Sequence, residues 1–560
     1  MGTRKGWLSA CALLTCLWAD ASGTARAQQP PDAPTPLATP PAPSAEPTIT
    51  ITSVQWTGAP SLLGPLIDPT LSGAVGQKLT GKQIGALMAD LTDRLHKAGY
   101  VVGQVVMMAP DLETLKQTGA LRLTIFPGKV GAVRVHANSS RVNDERLQRT
   151  AEKAACPEGP GEDCILTADR IERMQLLVVD VPGVKLQPVT LSAEGVPVGQ
   201  TAVELSAEPS QKMWTANVSA DNYGYPTSGQ FRFGAGAQLT NLFGIGDIIS
   251  LAGNITDKAT LTGSAGFSAP IGYDGLRLVA SYLHSQYTLP ELGSTGSADT
   301  GRLGLSYPWI RGLDSNWTVS LDGGYTRSTQ TVSGFEAFPP RNLVEINGTI
   351  SGNAGERPIQ LGQSYWTATA VLTQGWVSQD LQGATDPTGV LGDFQKIRVN
   401  ALRKQNLGDS GFYLLADFRG QVPDKNLDAF EKLPFGGQTG VRAYRIDEGS
   451  YDGGVVMSLE LRRLFRLPSG HAIAPGVIVD GALGVFNMNP YSNWQLMQGY
   501  NNPNLPNFWA LGSVGPAFDW TTPQGLTFSI TWATRLPGSP DSINHPGATN
   551  QFLASLALRF

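Results

Sequence analysis

Cysteine is scarce in this chain of 560 residues: there are four, and two of them, Cys11 and Cys16, lie within the first 27 positions. Histidine numbers five, and no CxxC pair or His cluster offers the ligand spacing of a zinc or iron site, so no metal is expected. Basic residues are outnumbered, 41 Lys and Arg against 46 Asp and Glu, and they form no tract, which argues against nucleic acid as a partner. No G-x-S-x-G, H-E-x-x-H, Walker loop or dinucleotide fingerprint appears, so neither an enzyme nor a bound cofactor is expected. Beyond Met213 no apolar run reaches the roughly 18 residues of a membrane-spanning helix. Glycine, Ser/Thr and aromatics dominate there instead, and the other way across a bilayer is a closed β-barrel.

The first residues read as an export signal. Arg4 and Lys5 precede a mostly apolar run from Trp7 to Trp18, and Ala25-Arg26-Ala27 supplies a cleavage site, giving a secretory signal peptide over 1–27. Its removal takes away three basic residues and one acidic, so the formal charge moves from -5 to -7. Cys156 and Cys164 then remain as a pair, and in an exported protein they are expected to form a disulfide contributing roughly 2–3 kcal/mol. Residues 28–47 hold eight prolines in twenty positions, an extended tether rather than a folded segment.

From Thr48 the pattern is that of a small α/β module, residues 48–128. A strand over 48–56 precedes a helix capped by Thr80, with Ile84, Leu87, Met88, Leu91 and Leu95 on one face and Gly99 as its stop. Strands over 100–109 and 119–126 complete it. A second unit over 129–210 repeats the order: a strand at 130–137, helices near 144–154 and 167–179, strands at 184–192 and 201–206.

Residues 211–560 hold sixteen strand-like runs: 213–222, 229–239, 247–256, 260–268, 276–285, 300–307, 317–325, 343–351, 365–376, 395–402, 411–420, 455–463, 472–483, 508–520, 525–534 and 551–560. Many are about ten residues, the length a tilted strand needs to cross the apolar layer. Alternation is cleanest near the end, where Leu526, Phe528, Ile530 and Trp532 would face lipid and Thr527, Ser529 and Thr531 the interior. Connections alternate as well. If the chain enters from the periplasm, the turns on that side are short, and the opposite loops at 286–299, 326–342, 377–394, 421–454, 484–507 and 535–550 are long. Residues 257–259 are the exception.

One connection stands apart. The segment leading into the strand at 455–463 exceeds thirty residues and carries Val441-Arg442-Ala443-Tyr444 within a Gly-rich stretch. In the strand itself Val455, Met457, Leu459 and Leu461 alternate with Ser458, Glu460 and Arg462. This stretch resembles the V-R-G-Y/F signature of outer-membrane translocases and insertases, most closely the two-partner secretion transporters of the ShlB, FhaC and HecB type. It departs from the signature at Ala443, where the family has Gly. Asp221-Asn222-Tyr223-Gly224 and Asn241-Leu242-Phe243-Gly244-Ile245-Gly246-Asp247 are similar to the start of that family's barrel. Val477-Ile478-Val479-Asp480-Gly481-Ala482 is similar to its F-x-D-x-G strand, departing at Ile478 and Ala482.

The resemblance implies two small periplasmic POTRA domains followed by a 16-stranded antiparallel transmembrane β-barrel in a Gram-negative outer membrane. It implies a loop folded back into the lumen, with Arg442 paired to Asp480 and Glu460 a second possible partner. It also implies a large secreted exoprotein as partner, bound unfolded by the POTRA domains, and insertion by the barrel assembly machinery, with Phe560 as the terminal aromatic that machinery reads. Two readings stand beside it. An insertase of the same superfamily usually has more POTRA units, and a plain diffusion porin has none.

Overall fold

A computed structural model describes residues 47–137, 141–161, 164–209, 213–289, 293–332, 335–356, 363–380, 386–500 and 502–560. The expected signal peptide and all but the last residue of the proline-rich tether lie outside the described residues.

Two α/β modules come first. In the first, α1 (Pro60–Ser72), α2 (Gly81–Lys97) and α3 (Ala109–Thr118) pack on a sheet in which Ser53–Thr57 runs parallel to Ala120–Phe126 and Gln104–Val106 pairs antiparallel on its other side. Leu63, Ile67, Leu91, Leu95, Leu121 and Ile125 form its buried centre. Thr80 accepts from the Gln83 amide while the Gln83 side chain accepts from the Thr80 amide, so a capping box starts α2. α1, with prolines at 60, 65 and 69, is not among the expected elements. Leu63, Ile67 and Leu71 recur at helical spacing and are all buried, so tertiary packing overrides the low propensity. The expected strand at 100–109 shrinks to Gln104–Val106, and α3 takes the residues after it.

The second module repeats the plan with α4 (Asp144–Ala155) and α5 (Ala168–Val179), and with Lys129–Ala137 parallel to Gln200–Pro209. The Cys156–Cys164 disulfide ties the end of α4 to the segment entering α5. This module is fastened to the short turns at one end of the barrel. Arg311 grips both Asp180 oxygens at 2.7 Å, the Leu313 amide donates to Glu172 at 2.6 Å, and Arg146 donates to the Gly272 carbonyl at 3.0 Å.

The barrel strands are β1 (Trp214–Asp221), β2 (Arg232–Thr240), β3 (Ile248–Thr256), β4 (Leu261–Pro270), β5 (Arg277–Leu289), β6 (Ser294–Arg311), β7 (Ser315–Val332), β8 (Phe335–Gly355), β9 (Tyr365–Gln379), β10 (Gly392–Asn406), β11 (Phe412–Pro423), β12 (Gly453–Arg463), β13 (Ala472–Val485), β14 (Phe508–Thr521), β15 (Leu526–Arg535) and β16 (Asn550–Arg559). Each pairs antiparallel with its neighbour, and β16 returns to β1 to close the cylinder. That seam is short: residues 555–559 pair with 217–221, and beyond them the Asn222 side chain takes over, donating to the Phe552 carbonyl and accepting from the Ala554 amide.

All sixteen expected strands occur, but several are longer than read, β6, β7 and β8 most of all. β6, β7 and β8 run for 18, 18 and 21 residues, so the expected long loops at 286–299 and 326–342 are largely strand. The added length is held by ladder bonds and by hydroxyl pairs across it: Thr295 with Thr331 at 2.7 Å, Ser297 with Thr329 at 2.9 Å and Thr300 with Thr326 at 2.9 Å. A Ser/Thr-rich polar stretch reads as loop by polarity, yet Thr suits a pleated strand.

Candidate functional site

The connection between β11 and β12 folds back into the barrel. A short ribbon pairs Leu433–Pro434 with Ser450–Tyr451 and so presents residues 435–445 as a tip against the wall. The tip is tight: the Val441 amide donates to the Phe435 carbonyl at 2.7 Å, and a Cβ on Gly440 would lie 2.3 Å from that same oxygen, so only glycine fits there. Val441 is fully buried. Ala443 is buried and is not among the residues with positive φ, so alanine stands in the family's glycine position without left-handed strain.

Arg442, 3% exposed, is the centre of the contact. Its backbone amide donates to Asp480 at 3.0 Å, its Nη2 to Asp480 at 2.7 Å, and its Nε lies 3.1–3.2 Å from both Asp480 oxygens. Nη1 donates to Glu460 at 2.7 Å and Nη2 to the Ser458 hydroxyl at 2.5 Å. The two-residue period explains the convergence. Ser458 and Glu460 share one face of β12, and Ser458 stands opposite Asp480 of β13 in register, so all three point at the same lumenal spot.

Asp480 is further held by the Ser458 and Ser513 hydroxyls, at 2.9 and 2.8 Å. Charges continue along the wall, since Arg462 donates to Glu460 at 2.7 Å and to Asp519 at 2.5 Å. A planar guanidinium placed on two carboxylates is directional, and removing one partner of such a buried pair costs about 3–5 kcal/mol. The Gln551 side-chain amide, with its nitrogen turned inward, reaches the Arg442 and Tyr444 carbonyls at 2.9 Å each.

Apolar packing backs the ion pairs. The Phe435 ring lies 4.3 Å from Tyr451 and 5.7 Å from both Phe486 and Trp509, while Tyr444 edges onto Trp509 at 6.3 Å. Nearer the root of the loop, Arg341 of β8 holds Asp428 at 2.7 Å, Lys396 of β10 binds Glu431, and Lys432 reaches Asp452 at 2.9 Å. On its returning limb the fully buried Glu448 accepts from the Ser542 hydroxyl at 2.6 Å and from the Ile543 amide. Burial pushes its carboxyl above the ordinary value, against the pull of those two donors.

The structure therefore brings Arg442, Asp480 and Glu460 together, with Val441, Ala443 and Tyr444 packed around them. Cys156 and Cys164 are joined to each other in the second module and take no part in the lumen. Phe560 follows β16, its side chain half exposed and its amide donating to the Ala216 carbonyl at 2.8 Å. Sequence reasoning missed Ser513, Gln551, Asp519 and the Glu448 contact. The first three sit at inward positions of alternating strands, a signal that was available. Glu448 meets another loop, and no periodicity reports that. Among the described residues no group of His, Cys, Asp and Glu could hold a metal ion.

Comparison with known proteins gives a consistent answer. The family model described as haemolysin secretion/activation protein ShlB/FhaC/HecB matches residues 199–497, and the ShlB-type POTRA domain model matches residues 49–128. The heme/hemopexin transporter protein HuxB of Haemophilus influenzae is 23% identical over 480 residues, covering 83% of this chain and 80% of that protein. The outer membrane transporter CdiB of Dickeya dadantii is 27% identical over 426 residues, covering 71% of this chain and 70% of its own. Among solved structures, CdiB from Escherichia coli superposes with a TM-score of 0.72 at 20% identity, over 93% of this chain and 92% of the other.

Proposed function

This chain belongs to the ShlB/FhaC/HecB family of haemolysin secretion/activation proteins, and from that premise we propose how it works as the outer-membrane pore of a two-partner secretion system. The barrel lies in the outer membrane and the POTRA region in the periplasm. The family is one of transporters. Both α/β modules, residues 48–128 and 129–210, act as POTRA domains that capture the unfolded end of a large exoprotein, using their open sheet edges for strand addition. That the relatives include a heme/hemopexin transporter and an outer membrane transporter supports a secreted protein as cargo.

The loop at 424–452 is the stopper, and Arg442 on Asp480 and Glu460 is its fastening. The observation that carries this reading is the burial of Arg442 in a site where every nitrogen of its fork faces an acceptor. Export then requires that fork to let go. A plain porin is the poorer reading, because it has no use for modules bolted to its periplasmic turns by Arg311 and Asp180.

Deleting the gene in the bacterium that makes this chain, and comparing the proteins in its medium by quantitative mass spectrometry, tests the reading. One large secreted protein should vanish and return on complementation with the native chain, but not with Arg442→Ala. An unchanged set of secreted proteins would sink it.

A further inference from the structure

The lumenal loop is gripped a second time, by the loop at 536–549 that joins β15 to β16. Tyr444 donates its hydroxyl to the Pro540 carbonyl at 2.7 Å, His545 Nε2 lies 3.0 Å from an Asp447 carboxylate oxygen, and Asn544 donates to the Asp447 carbonyl. Glu448 adds two more contacts. Both of its oxygens are taken by neutral donors of that loop, Ser542 and Ile543, and among the described residues no Lys or Arg pairs with it. A carboxylate so placed depends on its donors, because a charged group stays buried at low cost only while its oxygens keep hydrogen-bond partners.

The consequence is an energetic coupling between two loops far apart in sequence. If the 536–549 loop lifts away, Glu448 is stranded. If the lumenal loop leaves, Ser542 and the Ile543 amide lose their acceptor. The bonds of the Arg442 side chain go to β12 and β13 and depend on none of this.

We propose that this contact is a second lock: the 536–549 loop must release Asp447 and Glu448 before the Arg442 tip can leave the wall, and Glu448 is the positioning residue that holds the loop's returning limb shut. The proposal rests on the stopper reading above and names a further control of it.

Ionic current through single proteins in planar bilayers, in potassium chloride, separates the possibilities. In an Arg442→Ala background, Asp447→Cys and His545→Cys are joined by a short, cleavable bismaleimide. Arg442→Ala alone should show frequent wide openings, the bridge should suppress them at least ten-fold, and cleaving it should restore them. Bridged protein that opens as often as unbridged protein overturns the second lock while leaving the stopper intact. If Arg442→Ala never opens widely, the stopper reading falls and this inference with it. A second variant needs no bridge: Glu448→Gln, which keeps size and loses charge, should raise opening frequency several-fold with Arg442 in place and with heat-shifted gel migration of the barrel unchanged. An opening frequency equal to that of the native protein overturns the positioning role.

Discussion

The two walls of the lumen are made of different chemistry. On β10 to β14 the inward positions carry Lys396, Arg398, Asp417, Arg419, Glu460, Arg462, Asp480 and Asp519, and the folded-back loop lies against this side. On β3 and β4 the inward register runs through Ser250, Ala252, Asn254, Thr262, Ser264, Gly266 and Ser268, small and uncharged, with contacts such as Thr262 to Ser285 of β5 at 3.4 Å. Both walls obey one alternation and both turn apolar residues to lipid. What differs is what each has to hold. A loop kept in one position needs fixed, directional partners, and charge placed by strand register supplies them. A wall that grips nothing is better small and neutral, since an unpaired charge there would only bind water or the wrong segment.

Substitutions can break that contrast, beginning with the largest effect. Asp480→Ala leaves the buried Arg442 with Glu460 as its one carboxylate and should destabilise docking of the loop by about 3–5 kcal/mol. Protease cleavage within 424–452 would rise by orders of magnitude while heat-shifted migration of the barrel persists; a loop still resistant would mean the ion pair is ornamental. Phe435→Ala empties the centre of the aromatic cluster and should cost about 3 kcal/mol, read in the same assay. Tyr444→Phe removes one hydrogen bond, to Pro540, and should cost about 1 kcal/mol, a few-fold change in cleavage rate. Thr262→Ala, on the ungripped side, deletes a hydroxyl pair with Ser285 and should stay within about 0.5 kcal/mol, with single-channel current unaltered. A large effect there would erase the distinction between the walls.

Much of this was legible in the residues, for a physical reason. Strand period is short and strict, so Asp480 and Glu460 fall inward once the strands are found, and a long loop ending in a Gly-rich Arg stretch stands out against short turns. Less visible were features set by tertiary context. α1 forms through three prolines because its apolar face is buried, and β6 to β8 extend through polar residues because their hydroxyls pair across strands. The Glu448 contact joins two irregular loops, where neither spacing nor composition reports a neighbour nearly a hundred positions away.

The seam between β1 and β16 carries one more implication. Its pairing joins residues 217–221 to 555–559, and the segment around Arg442 belongs to neither edge. The enclosure therefore cannot be completed before its last strand has been made, whereas the loop it will contain has emerged a hundred residues earlier. Because β12 and β13 pair with each other independently of that seam, the loop can dock on its wall while the sheet is still open along one side, and what later behaves as a door can begin as part of the scaffold on which the wall is wrapped.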